Sequence, residues 1–214
     1  AHDPDMPDLA TARAMGMVKR LAPEGSSVGF AAFRADPVAN PLATPSGKIE
    51  IYSERLAEIA RTWQLPEGDV ITPIPTYQAT WEGFEDAGAA ADFPLQLYGR
   101  HPKGRTHSSY YNVDVLRHAV MDAVWLNPAD ATPRGIASGD WVRIRSRRGE
   151  IRIRAKVTPR VMPGVAAMEQ GIWFTPDAEG KDTTGSVNVL TSQRPSPLAK
   201  GNAQHTNRVE IEKV

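Results

Sequence analysis

Trp141-Val142-Arg143-Ile144-Arg145-Ser146-Arg147-Arg148-Gly149-Glu150-Ile151-Arg152-Ile153-Arg154-Ala155-Lys156-Val157 is two amphipathic strands around a turn. Val142, Ile144, Ile151, Ile153, Ala155 and Val157 alternate with Arg143, Arg145, Arg152, Arg154 and Lys156, so one face of each strand is apolar and the other basic. Arg147-Arg148-Gly149 supplies the hairpin connection. Working outward, Val124-Trp125-Leu126, Val165 to Met168, Val187 to Leu190 and Val209 to Ile211 are further short apolar runs between Gly and Pro turns. They bring the set to about six strands. A small closed barrel hides the edges of so many short strands, so the expected fold is mainly β with short helices.

The boundary of this barrel is expected at residues 94–214, with residues 1–93 an arm or linker left from a preceding domain. Leu9 to Leu21 has helical periodicity, and Ala22-Pro23-Glu24-Gly25 ends it. Val28 to Phe33 reads as a short strand, and Ala35 to Gly47, with Pro37, Pro41 and Pro45, reads as extended linker. Lys48 to Tyr52 alternates like a half-buried strand, and Ser53 is placed to cap a helix over Glu54 to Trp63. Residues 64–93, broken by Pro66, Pro73, Pro75, Gly83 and Gly88, are expected to be irregular and to lie against something larger. The arm is thus partly irregular α/β. In the barrel, Asn127-Pro128 pairs an N-cap with a proline at the first helical position, and Gly135 closes that turn.

With 214 residues, 41% of them hydrophobic, the chain has material for one sizeable core. The 25 basic and 25 acidic residues cancel, which argues against a dedicated nucleic-acid binder. Cysteine is absent, which excludes disulfides, thiolate nucleophiles and cysteine-ligated clusters within these residues. No apolar run reaches membrane-spanning length, and Ala1-His2-Asp3-Pro4 resembles neither a signal peptide nor an initiator, so the start reads as a cut end.

Chemistry concentrates where the first barrel strand ends. Tyr98-Gly99-Arg100-His101-Pro102-Lys103-Gly104-Arg105-Thr106-His107-Ser108-Ser109 combines glycines, cations, imidazoles and hydroxyls, the materials of an anion or phosphate cradle. A second polar loop runs from Asn188 through Thr191, Ser192 and Gln193 to Gln204, His205 and Thr206. Its amides and hydroxyls both donate and accept, which suits a heterocycle. Two other features offer function. The hairpin region Arg143 to Arg160 carries eight cations against Glu150 alone, raising a stand-alone phosphate- or polyanion-binding module as the alternative. No aromatics interleave on its basic face to stack bases, so nucleic acid is not expected as a partner. His101, His107 and His205 suggest a zinc hydrolase, but Pro102 and Gly104 oppose the helical spacing such sites use. The acids of Asp177 to Ser186 lack the spacing of a calcium loop.

Several motifs in order carry a family resemblance: Thr44-Pro45-Ser46-Gly47-Lys48-Ile49-Glu50-Ile51-Tyr52-Ser53; His101 to Ser109; Asn127-Pro128-Ala129-Asp130-Ala131 with Arg134-Gly135-Ile136 and Gly139-Asp140; and Asn188-Val189-Leu190-Thr191 with Arg194-Pro195-Ser196-Pro197-Leu198. From about residue 33 the chain resembles the C-terminal part of anaerobic dimethyl sulfoxide reductase catalytic subunits. The resemblance implies a molybdopterin-dinucleotide-binding domain built as a six-stranded double-psi β-barrel. It implies molybdenum bis-(molybdopterin guanine dinucleotide) as cofactor of the full-length enzyme, and reduction of S-oxides or N-oxides by oxygen-atom transfer as molybdenum cycles between Mo(IV) and Mo(VI). It assigns cofactor contacts to Tyr98, Gly99, Arg100, His101, Lys103, Gly104, Arg105, Thr106, His107 and Ser108, with Asn188 and His205 from the later loops and Trp173 beside them. No catalytic residue and no metal ligand is expected here, because in relatives the molybdenum ligand and the iron–sulfur cysteines lie N-terminal to the matching part. The chain is therefore expected to be a fragment, inactive and without cofactor alone. Its implied partners are the N-terminal domains of the catalytic subunit, an iron–sulfur electron-transfer subunit and a membrane anchor, in an exported or periplasmic, membrane-associated complex.

Overall fold

The computed structural model describes residues 6–19 and 28–214. They divide into two compact units between Ile51 and Tyr52. In the first, helix α1 (Leu9–Met15) starts at Asp8, whose carboxylate accepts the Thr11 N–H at 2.9 Å, and stops at Gly16 with φ 70°. The helix expected to reach Leu21 thus ends at Met15: Met17 to Lys19 are not helical, and residues 20 and 21 lie outside those described. Ala31–Ala35 forms helix α2 where a strand was expected. Ala31, Ala32 and Ala35 favour helix, and among the described residues no strand pairs with Val28 to Phe33. Lys48 to Tyr52, also expected as a strand, is unpaired among the described residues, with Ile49 and Ile51 74% and 76% exposed. Alternation defines two faces, but a strand also needs an edge to bond to.

The second unit opens on helix α3 (Glu54–Thr62), capped by the Ser53 hydroxyl as its sequence predicts. An irregular stretch leads to α4 (Ala87–Asp92), and then the barrel begins. Its elements are β1 (Leu95–Arg100), α5 (Asp114–Ala119), β2 (Ala123–Leu126), α6 (Pro128–Ala131), β3 (Trp141–Arg145), β4 (Glu150–Val157), β5 (Val165–Glu169) and β6 (Asn207–Lys213). Asn127 caps α6 and Gly135 closes the following turn at φ 63°. The six strands close in the order β1-β5-β2-β4-β3-β6. β1 runs parallel to β5 and β2 parallel to β4, while every other neighbour is antiparallel. This closed mixed barrel agrees with the double-psi architecture the resemblance implies. Val187–Val189, counted among the strands from its apolar run, is a 3₁₀ turn that buries Val187 and Leu190 against the barrel.

The alternating residues of the hairpin behave as their pattern requires. Val142, Ile144, Ile151 and Ile153 point inward beside Leu95, Leu97, Val124, Leu126, Met168, Val209 and Ile211, all 2% exposed or less. Each such side chain contributes about 1.5–3 kcal/mol on burial. The barrel thereby gives a rigid rim from which the β1 and β5 ends emerge side by side, with Arg100 in register with Glu169.

Candidate functional site

β1 alternates as it leaves the core: Leu97 and Gly99 are buried, Tyr98 is exposed and Arg100 partly so. The loop beyond Arg100 is fixed from beneath. Arg105, 8% exposed, donates from Nε to the Gln170 carbonyl at 3.1 Å, from one terminal nitrogen to Asp122 at 2.9 Å, and from the other to Glu169 at 3.4 Å. Its whole fork is committed inward, which makes it the anchor of the loop. Arg100 also pairs with Glu169, at 3.6 Å, and lies 3.7 Å above the Trp125 ring. Burial pushes the Glu169 carboxyl above its ordinary range, against the pull of the Arg100 and Arg105 guanidiniums. Burial and the neighbouring Asp122 carboxylate likewise raise the Tyr111 phenol, which packs beneath the loop between Arg105 and Arg117.

A second anchor is backbone against backbone. Gly171 adopts φ 87°, and a Cβ there would fall 1.7 Å from the His107 carbonyl oxygen. Only glycine admits the loop this closely. Next to it, the Trp173 indole donates to the Ser108 carbonyl at 2.9 Å and its ring lies 5.8 Å from that of Tyr111. His107 and Tyr110 sit in the left-handed region at φ 48° and 71°, conformations these anchors hold in place.

So pinned, the loop turns His101, Lys103, Thr106, His107 and Ser108 outward, all exposed. His101 and His107 meet edge to face at 5.1 Å. Ser108 and Asn188 share the wall of an open cleft of about 580 Å³ with Trp173 and Phe174. His205 is not in that cleft. Its ring lies 5.8 Å from Tyr98, at a separate opening of about 490 Å³ that both residues line. The sequence-predicted residues are therefore divided: Ser108 and Asn188 line the first cleft and Tyr98 and His205 the second, while Arg105 is buried and Arg100 pairs inward with Glu169. The three histidines do not assemble a zinc site, and no group of three or more His, Cys, Asp or Glu side chains suited to a metal occurs among the described residues.

The basic hairpin is occupied by other partners. Glu212 accepts from Arg143 and Arg145, Glu82 pairs with Arg148, and Lys181 pairs with Glu150. Arg154 and Lys156 lie over Trp141 and Trp125. Three of the hairpin's eight cations, Arg143, Arg145 and Arg148, are thus engaged by acids from other parts of the fold, which does not favour a dedicated polyanion face.

Three residues escaped the sequence reading. Asp122 and Glu169 hold the Arg105 anchor, and Gln170, 3% exposed, leaves both amide atoms of its side chain without a partner. The signal for Glu169 and Gln170 was a polar pair at the end of a buried strand just before a glycine, and Asp122 carried none.

The barrel presents exposed hydroxyl, imidazole and ammonium donors beside two open clefts, a surface suited to a large polar ligand. The chain belongs to the molydopterin dinucleotide binding domain family, whose model matches residues 95–208. It is 56% identical over 216 residues to the putative dimethyl sulfoxide reductase chain YnfE of Escherichia coli K12, covering 100% of this chain and 27% of that protein. Against the dimethyl sulfoxide reductase DmsA of the same organism it is 56% identical over 211 residues, covering 99% and 26%. A dimethyl sulfoxide/trimethylamine N-oxide reductase of Cereibacter sphaeroides is 38% identical, with 97% and 25% covered. The chain thus spans about a quarter of the length of the curated relatives it matches. Acetylene hydratase from Pelobacter acetylenicus shares the fold at TM-score 0.67 and 21% identity, over 84% of this chain and 25% of that one.

The residues present fit such a cofactor. The outward hydroxyl, imidazole and ammonium donors of Thr106, Ser108, His101, His107 and Lys103 suit phosphate and pterin oxygens.

Proposed function

We propose that this chain is the cofactor-holding C-terminal part of a larger molybdenum oxidoreductase that reduces S-oxides or N-oxides. The supporting observation is that likeness to dimethyl sulfoxide reductase chains runs along its whole length. In the whole enzyme the cofactor, bis-(molybdopterin guanine dinucleotide), supplies oxygen-atom transfer at its molybdenum. The residues of this chain bind and orient it. Lys103, Thr106 and Ser108 donate from the rim to phosphate and pterin oxygens, and His101 and His107 add imidazole donors. Asn188 offers an amide across the cleft from Ser108, while Tyr98 offers a phenol and His205 an imidazole at the other opening. Arg105 acts indirectly, through the loop it anchors. None of these side chains needs to exchange a proton with substrate, so none is assigned a catalytic role.

The test uses the longer catalytic chain that carries this domain, produced anaerobically. Bound molybdenum and pterin, with reduction of dimethyl sulfoxide or trimethylamine N-oxide by a reduced dye, support the reading. A purified chain holding neither, or holding both and reducing neither oxide, overturns it. Asn188→Ala with Arg105→Ala is expected to lower molybdenum content together, and unchanged content in both removes these residues from the binding set. The same reading puts the enzyme in an exported, membrane-associated complex with an iron–sulfur subunit and an anchor subunit. Cell fractionation and co-purification of those subunits test it.

A further inference from the structure

The attachments of the rim loop concentrate on one short segment at the end of β5, residues 169–173. Arg105 bonds to the Gln170 carbonyl and the Glu169 carboxyl, the His107 carbonyl lies against Gly171, and the Ser108 carbonyl accepts from Trp173. Glu169 is the titratable member of this footing. It is 2% exposed, and the proposed function gives it no role.

The charge of Glu169 is poorly served where it lies. Arg105 reaches it at 3.4 Å and Arg100 at 3.6 Å, and that Arg100 nitrogen makes no hydrogen bond. A charge-assisted bond between such groups is typically about 2.7–2.9 Å. Arg105 gives its short bond, at 2.9 Å, to Asp122 instead. The other charges that face Glu169 are Asp122 itself, ahead of β2, which opposes its ionisation, and Lys156 on β4, which favours it. Tyr111 faces Asp122 and Arg105, with Arg117 over its ring. Burial outweighs the two guanidiniums, and the carboxyl holds its proton above the ordinary glutamate range.

The loop is part of what buries it. Lifting the loop withdraws Arg105 and admits water to Glu169, which returns the carboxyl to an ordinary affinity for protons. A proton held more tightly in the closed form than in the open one favours closure. We propose that Glu169 is a proton-linked latch for the rim loop: the loop closes over the neutral carboxyl, and release of that proton loosens residues 101–110. A ligand held by the closed loop is then bound with proton uptake and leaves more readily as pH rises. The latch belongs to the loop and its footing, so it stands or falls separately from the cofactor reading.

Amide hydrogen exchange of residues 101–110, followed across pH in the longer catalytic chain and corrected for the intrinsic pH dependence of exchange, reads the latch directly. The loop should exchange faster than the β3 and β4 amides at every pH, because it opens by itself. Its opening should increase by up to about tenfold for each pH unit between the ordinary glutamate value and the raised one, and level off above that. Glu169→Gln has no proton to release, so its loop should stay protected without a step. Arg100→Met removes a cation that favours the ionised form, so its step should extend to higher pH. A carboxyl with a merely structural role would give no such shift.

A loop whose opening does not change with pH overturns the proposal, as does one that exchanges only as fast as β3 and β4 and so opens with the whole barrel. A step that persists in Glu169→Gln belongs to the loop imidazoles, His101 and His107, and also overturns it. So does a step that Arg100→Met leaves in place. Cofactor content does not enter these readings, so an unaltered chain free of molybdenum and pterin overturns the functional reading alone.

Discussion

At the scale of single residues, two side-chain choices decide where the rim loop lies. Gly171→Ala would place a methyl group inside the His107 carbonyl and hold a non-glycine residue at φ 87°, so the loop must withdraw. Strain of this kind costs about 1–3 kcal/mol, and the expected result is a lower denaturation midpoint with faster proteolysis between Lys103 and Tyr110. Arg105 is the second choice. Arg105→Met leaves buried Glu169 with Arg100 alone and half-buried Asp122 without its cation, a loss of at most about 3–5 kcal/mol. Arg105→Lys keeps the charge but reaches fewer of the three acceptors, and should fall between the two in chemical denaturation. Glu169 adds a pH dependence of unusual sign. Its folded carboxyl holds a proton more tightly than in the unfolded chain, so its contribution favours folding at low pH and is lost as pH rises through the raised value. Relative to Glu169→Gln, the unaltered protein should therefore gain stability as pH falls through that range, read from paired melting curves.

Among the elements, the seam between β3 and β6 carries the opposite sign. Hydrogen bonds from Arg143 and then Arg145 hold the Glu212 carboxyl below the ordinary glutamate range. Its contribution is present above the unfolded value and is lost as pH falls through the lowered folded value. Glu212→Gln should thus depress the melting midpoint at neutral pH, and the difference should vanish in acid; a constant difference would mean that the pairing is not its cause. This seam also marks how far the sequence was legible. The arginines of β3 were visible as an amphipathic face, because alternation is local. Their acidic partners were not, since Glu212 lies 67 residues beyond Arg145 and only barrel closure brings them together. The same limit explains Val187–Val189. Its apolar run signalled burial correctly, and a 3₁₀ turn buries such a run as well as a strand does. The rim loop was legible from its donors, while the division of Asn188 and His205 between two clefts depended on the parallel pairing of β1 with β5, which no local pattern encodes.

Across the second unit as a whole, arginines from the barrel strands and loops hold the irregular stretch that precedes β1. Arg208, buried in β6, donates to the carbonyls of Gly83, Phe84 and Pro94 at 2.9–3.2 Å. Arg194 donates to the Glu67 carbonyl and the Asp69 carboxylate, both at 2.6 Å, and stacks on Trp81 at 4.1 Å. Proline and glycine leave this stretch without a ladder of its own, so its backbone carbonyls are satisfied by guanidinium forks instead. Arg208→Lys cannot serve three carbonyls in different directions. It should raise amide hydrogen exchange around residues 80–94 while strands β3 and β4 keep their protection. Arg194→Ala should do the same around residues 66–70. The two arginines share no bonding partner, so if the stretch is held by independent clamps, their destabilisations should add to within about 0.5 kcal/mol. If the double variant instead loses more than that sum, the stretch from 64 to 94 detaches as one cooperative piece. Denaturant melts of the two single variants and the double variant distinguish these cases, and the separate partners of each clamp lead us to expect additivity.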